Sequence, residues 1–258
     1  MIPFRIGWTF LVLCLLILGC GEEKKKLVFA TDTTLIPMSF IGDDGEIAGF
    51  EPDLISEISK IVGFDYKLVN VEWAGLFGGL ITQKYDAVIA SVTILEERKK
   101  RMAFSTPYLR SGLALVVRKN SKKINSVQDL KRERLLIGAQ LGTTSYFYLE
   151  KDPAIRKKGY QAYGHAVADL IKGEIDAVLG ESTGTLYYKN QRKDYFQKIK
   201  MVGEILTKEY YGIVLRKTDP DLLNKINTAL KQLLEDGTIS RLHAKWELGE
   251  AARVPTLD

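Results

Sequence analysis

Short apolar runs alternate with amphipathic stretches along most of the chain. Leu27–Thr31 reads as a buried strand ending at Asp32, and Tyr66–Val71 and Ala87–Ala90 read the same way. Phe50–Val62 carries Leu54, Ile58, Ile61 and Val62 on one helical face, with Pro52 in the first turn, where a missing N–H does no harm. Trp73–Thr82 predicts a second short helix, and Gly42-Asp43-Asp44-Gly45 a hairpin-type turn. The alternation then repeats. Strands are expected at Leu113–Val117, Leu135–Ala139, Asp176–Leu179 and Tyr211–Leu215, and helices at Ser126–Lys131 and Ala166–Lys172. Two helices close the chain, Pro220–Leu234 and Gly237–Trp246, with Asp219 as an N-cap and Gly249 as a stop. This order predicts an α/β protein with parallel sheets, built as two similar halves.

Composition changes the picture at the N-terminus. The apolar run from Ile6 to Leu18 is about 13 residues long, where a membrane-spanning helix needs ~20. With Arg5 before it and Gly19 after it, the run reads as a signal-peptide core over residues 1–19. Ile17-Leu18-Gly19-Cys20 resembles a bacterial lipobox, which implies lipidation of Cys20 and a polar tether over residues 20–26. An uncleaved anchor or an ordinary secretion signal stays open. Cys14 would leave with the signal, so no disulfide or thiol chemistry is expected of the mature chain. The 258 residues carry a net charge of +5, but the basic runs are short and lack the interleaved aromatics of a nucleic-acid groove. His165 and His243 lack metal-like spacing, and neither a nucleophile–histidine pattern nor a phosphate loop appears, so no cofactor or metal is expected.

The segment from Asp86 to Tyr108, DAVIASVTILEERKKRMAFSTPY, carries the most chemistry. Its apolar run empties at Ala90 into Ser91 and Thr93, and Arg98 follows. Small hydroxyl residues at a strand mouth offer N–H and O–H donors, and an Arg offers a planar fork that fits a carboxylate. A solvated charged face is the plainer reading of Glu96–Arg101. A second hydroxyl-rich turn, GAQLGTTS, ends the strand of the second half, with Thr143 or Thr144 placed to cap a helix. Ligand sites in α/β proteins lie at such strand ends.

The first segment resembles the signature of the bacterial extracellular solute-binding proteins for polar amino acids, family 3, and GAQLGTTS and the closing KWELG are similar to that family's later motifs. The resemblance covers Leu27 to Leu248. It implies a two-lobe periplasmic-binding-protein type 2 fold, with two crossing hinge segments and a ligand cleft between the lobes. Lobe 1 would span residues 27–112, lobe 2 residues 113–210, and residues 211–258 would return to lobe 1. It implies that Arg98 takes a ligand carboxylate with Ala90, Ser91, Thr93, Thr143 and Thr144. Glu181 stands where the family usually places the Asp that meets the ammonium. Asp32, Trp73 and Gln140 match positions near the ligand side chain, although Asp32 also suits an Asx turn with Thr33 and Thr34. Asp32 and Glu181 against one Arg98 favour a cationic or neutral ligand.

The expected function is therefore a monomeric, lipid-anchored binding protein in the cell envelope. It would capture a polar amino acid, a basic one included, and deliver it to an ABC permease. The alternative on the same fold is an enzyme similar to periplasmic cyclohexadienyl or arogenate dehydratases, with Glu181 as an acid. A receptor ectodomain or cell-wall enzyme module is a third reading.

Overall fold

The computed structural model describes residues 26–184 and 193–255; the apolar leader and Cys20 lie outside them. In chain order come β1 (Leu27–Thr31), β2 (Thr34–Leu35), β3 (Ser39–Ile41), β4 (Ile47–Ala48), α1 (Phe50–Val62), β5 (Tyr66–Asn70), α2 (Trp73–Ile81), β6 (Ala87–Val88), α3 (Glu96–Lys99), β7 (Ala103–Phe104) and β8 (Leu109–Ser111). The second half holds β9 (Leu113–Arg118), α4 (Val127–Arg132), β10 (Leu136–Gln140), α5 (Thr144–Glu150), β11 (Arg156–Tyr160), α6 (Tyr163–Lys172), β12 (Ala177–Glu181), α7 (Lys193–Phe196) and β13 (Ile199–Val202). The chain ends with β14 (Glu209–Tyr211), β15 (Val214–Leu215), α8 (Pro220–Glu235) and α9 (Thr238–Lys245).

These elements form two α/β lobes. One sheet runs β5-β1-β6-β15-β7 and the other β11-β10-β12-β9-β13. Neither sheet is all parallel, which corrects the sequence-based expectation. β1 pairs in parallel with β5 and β6, and β10 with β11 and β12, but β15, β9 and β13 run antiparallel to their neighbours. The antiparallel members arise where the chain crosses between lobes, an event that alternation of helix and strand does not register. Each sheet is covered on both faces. One face of the first packs Phe29, Ile89 and Ile213 against Leu54, Ile58, Ile226 and Leu230 of α1 and α8; Leu76 and Leu80 of α2 cover the other.

The two lobes share a device. Asp86, just before β6, accepts from the Val28 N–H at 2.9 Å and pairs with Arg216 beyond β15. Asp176, just before β12, accepts from the Leu136 N–H at 2.9 Å and pairs with Arg118 at the end of β9. In both lobes the acid locks the central strand to its parallel neighbour and the arginine ties in the antiparallel one.

The crossing segments meet as a two-stranded ribbon, β8 against β14, in which Ser111 faces Glu209 and Leu109 faces Tyr211. The expected strand Tyr211–Leu215 is in fact split, with Gly212 and Ile213 between β14 and β15. Gly112, where β8 passes into β9, is the tightest point of the crossing: a Cβ there would sit 2.1 Å from the Thr207 carbonyl oxygen. At the C-terminus the last helix closes on Trp246, as expected, ahead of Gly249; Asp219 holds the N-cap position of α8 but turns its carboxylate to Arg216 at 2.7 Å and makes no side-chain cap bond.

Candidate functional site

The cleft begins where β6 ends. Ser91 follows with φ of +49°, a left-handed conformation uncommon for a residue with a side chain. What holds it there is Glu51, fully buried in the first turn of α1. Glu51 Oε1 accepts from the Ser91 N–H at 2.6 Å, the Ser91 hydroxyl at 2.9 Å and the Tyr108 hydroxyl at 2.6 Å, while Oε2 accepts from Ser39 at 2.8 Å. Burial raises the pKa of this carboxyl, and those four donors oppose the rise. The Ser91 donors, expected to face a ligand, are thus engaged by the protein, although Ser91 and Ala90 both line the cleft.

Arg98, in the short helix α3, is only 9% exposed. Its guanidinium lies 5.4 Å from the Trp73 ring centroid and 5.2 Å from that of Phe77, within cation–π range. Nη1 donates to the Thr93 carbonyl at 2.9 Å and Nη2 to the Gly142 carbonyl of the other lobe at 3.1 Å. These bonds engage two of its five N–H groups. Burial lowers its pKa to about 10, partly offset by the negative charges of Glu181 and Glu209.

Glu209 comes from the hinge strand β14 and was not identified from the sequence. Its Oε2 accepts from Thr93 of the first lobe at 2.9 Å and from Thr144 of the second at 2.8 Å, and Oε1 accepts from Thr207 at 2.9 Å. Glu181, at the end of β12, shares that one Thr144 hydroxyl with Glu209, at 2.9 Å, and accepts from the Tyr211 hydroxyl at 3.0 Å. Burial pushes the Glu181 pKa up to about 8, and the neighbouring charge of Glu209 adds to the rise; the two hydroxyls and Arg98 act against it.

The remaining side chains are set by local structure. Thr143 caps α5, its hydroxyl accepting from the Tyr146 N–H at 3.5 Å, and it lines the cleft with Thr144. Asp32 does form the Asx turn, accepting from the Thr34 N–H at 3.0 Å, while its other oxygen accepts from the Trp73 N–H at 3.0 Å and so fixes the start of α2. Gln140 does not reach the cleft; its amide donates to the Gln161 carbonyl at 3.0 Å. Asp32, Trp73, Ala90, Ser91, Thr93, Arg98, Thr143, Thr144 and Glu181 therefore converge on one pocket, with Glu51 as an added member. It encloses about 470 Å³ of empty space, mouth included. Among the described residues no group of three or more His, Cys, Asp or Glu is placed to hold a metal ion.

Such a pocket can desolvate a small zwitterion, with a guanidinium for an acid end and a surplus of carboxylates for basic groups. Comparison with known proteins agrees with that chemistry. Residues 27–250 match the model of the bacterial extracellular solute-binding proteins, family 3. The chain is 33% identical over 227 residues to the L-cystine-binding protein TcyJ of Escherichia coli, covering 87% of this chain and 84% of that one. It is 31% identical over 232 residues to the arginine-binding protein 1 of an E. coli ABC transporter, covering 88% and 92%. Among solved structures, an ancestral arginine-binding protein bound to arginine superposes with a TM-score of 0.79 at 36% identity, covering 86% of this chain and 97% of that one.

Proposed function

The chain belongs to the bacterial extracellular solute-binding proteins of family 3, and on that premise we propose that it captures a polar amino acid with a basic or neutral side chain for an ABC importer. Arg98 takes the α-carboxylate, helped by Thr93 and Thr144. Glu181 takes the α-ammonium. Trp73 lies along the side chain, and Asp32 attracts a basic end. Residues 27–112 and 211–258 act as one lobe and 113–210 as the other, closing on the hinge ribbon.

The observation that carries this reading is a single deeply buried guanidinium facing Glu181 and Glu209 across a cleft that both lobes line. Buried charge is costly unless paired, and a zwitterion supplies a partner for each sign. The named relatives are binding proteins rather than enzymes, and the site is read as one that holds its ligand unchanged. Delivery is to a membrane permease, the protein acting as a monomer tethered through lipidated Cys20. A thermal-shift screen over the common amino acids and cystine tests the reading: a basic or neutral polar amino acid is expected to raise Tm most. A largest shift with aspartate or glutamate, or no shift with any, would overturn it. Mass spectrometry of the envelope-derived protein tests the anchor, with an acylated Cys20 at the mature N-terminus as the expected result.

A further inference from the structure

The hinge ribbon has two faces. Alternate residues of a strand point to opposite sides, and Glu209 and Tyr211 point into the cleft, where they bond Thr144 and Glu181. Arg110, paired with Tyr210, and Lys208 therefore face the other way. There they line a second pocket, about 600 Å³ of empty space including its mouth, together with Arg253, Glu250, Ser111 and Ser182.

The charges in this pocket do not balance. Arg110 and Arg253 are directly opposed across an antiparallel bridge, each N–H donating to the other's carbonyl at 2.7 Å. Residues so paired carry their side chains on one face, and like charges in that relationship are destabilising. Lys208 adds a third cation, its ammonium 5.5 Å from the Tyr210 ring centroid. Among the described residues the only acid lining the pocket is Glu250, and its carboxylate pairs with Arg253. Arg110 has no side-chain partner among the described residues. Ile205, Thr207, Ser111 and Ser182 complete the lining; the two serines are buried with their oxygens 3.0 Å apart, and Ser111 also accepts from the Tyr211 hydroxyl at 2.9 Å.

We propose that this pocket behind the hinge binds a phosphoryl-type oxyanion, held between Arg110, Arg253 and Lys208. A tetrahedral oxyanion accepts the paired donors of a guanidinium fork and turns the Arg110–Arg253 repulsion into attraction. No residue of the amino-acid site is needed to hold it.

Inorganic phosphate, titrated into the intact protein at constant ionic strength made up with chloride, is expected to raise Tm with the logarithm of its concentration. Arg110→Gln is expected to abolish that rise while keeping the basal Tm at or above that of the wild type, because one repelling charge is gone. Glu250→Gln removes the competing internal anion and is expected to strengthen the phosphate effect. A parallel arm with phosphatidylglycerol vesicles locates the oxyanion: Arg110-dependent sedimentation with vesicles, without a response to phosphate, places it on a lipid headgroup, whereas a phosphate response places it on a free solute. Equal shifts with phosphate and chloride together with no Arg110-dependent vesicle binding, or a phosphate response that survives Arg110→Gln, would overturn the proposal.

Discussion

Arg98 donates to the Gly142 carbonyl at 3.1 Å, joining the first lobe to the second across the cleft. Gly142 can present that carbonyl because it adopts φ of +72°, and a Cβ on it would sit 3.3 Å from Trp73 Nε1. The residue that would grip the ligand thus also closes the cleft, and Trp73 packs against the point of closure. Ligand binding and lobe closure share one guanidinium.

Gly142→Ala places a side chain in the left-handed region, at a cost of about 1–2 kcal/mol. Denaturant unfolding is expected to show a loss of that order, with the m-value unchanged. An alanine variant as stable as the wild type would mean that the turn relaxes freely.

Arg98→Ala removes the only cation that lines the cleft among the described residues. Truncating one partner of a buried, hydrogen-bonded charge pair costs about 2–5 kcal/mol, so affinity for the amino acid is expected to fall by about 30-fold to several thousand-fold. Far-ultraviolet circular dichroism is expected to stay native. Calorimetry returning an unchanged Kd would remove Arg98 from the site.

Glu181 titrates near 8 when folded, well above its ordinary 4.5. A folded pKa raised in this way gives stability that is fully present below the ordinary value and is lost as pH rises through about 8. The wild type is therefore expected to lose Tm over that window relative to Glu181→Gln, whose profile should be flatter. A ligand ammonium favours the ionised carboxylate, so binding near neutral pH should expel a proton. Calorimetry in buffers of different ionisation enthalpy measures this directly; no proton release would separate the ammonium from Glu181.

Glu51→Gln turns a donor toward donors. Glu51 takes bonds from Ser91, Tyr108 and Ser39, and the amide nitrogen of a glutamine would confront some of them. A buried donor or acceptor left unmatched costs about 1–3 kcal/mol, and a loss of that size is expected in chemical denaturation. Affinity should fall as well, since Ser91 would no longer be held at φ of +49°.

Much of this architecture was legible in the residues. Apolar periodicity placed α1 at Phe50–Val62, the span observed, because its buried face is set by side chains within one element. The turn capped by Thr143 was legible for the same local reason. Glu51 and Glu209 were not. Both are acids, which composition assigns to solvent, and both are buried by partners more than ten residues away, such as Ser91 and Thr93. No spacing rule links those positions; only the return of the chain through the hinge does. Strand β11, RKKGY, was missed because three of its five residues are basic, and it is held as an edge by β10 rather than by its own apolar content. Gln140 sits at the end of β10 as expected, yet its rotamer turns it to Gln161, which sequence does not encode locally.

The most direct test of the carboxylate grip at Arg98 compares L-arginine with agmatine, the same molecule without its carboxylate, by isothermal titration of the wild type and of Arg98→Ala. The wild type is expected to bind arginine at least ~30-fold more tightly than agmatine, and the variant to bind the two alike. Agmatine binding the wild type as tightly as arginine, or a preference for arginine that persists without the guanidinium, would contradict it.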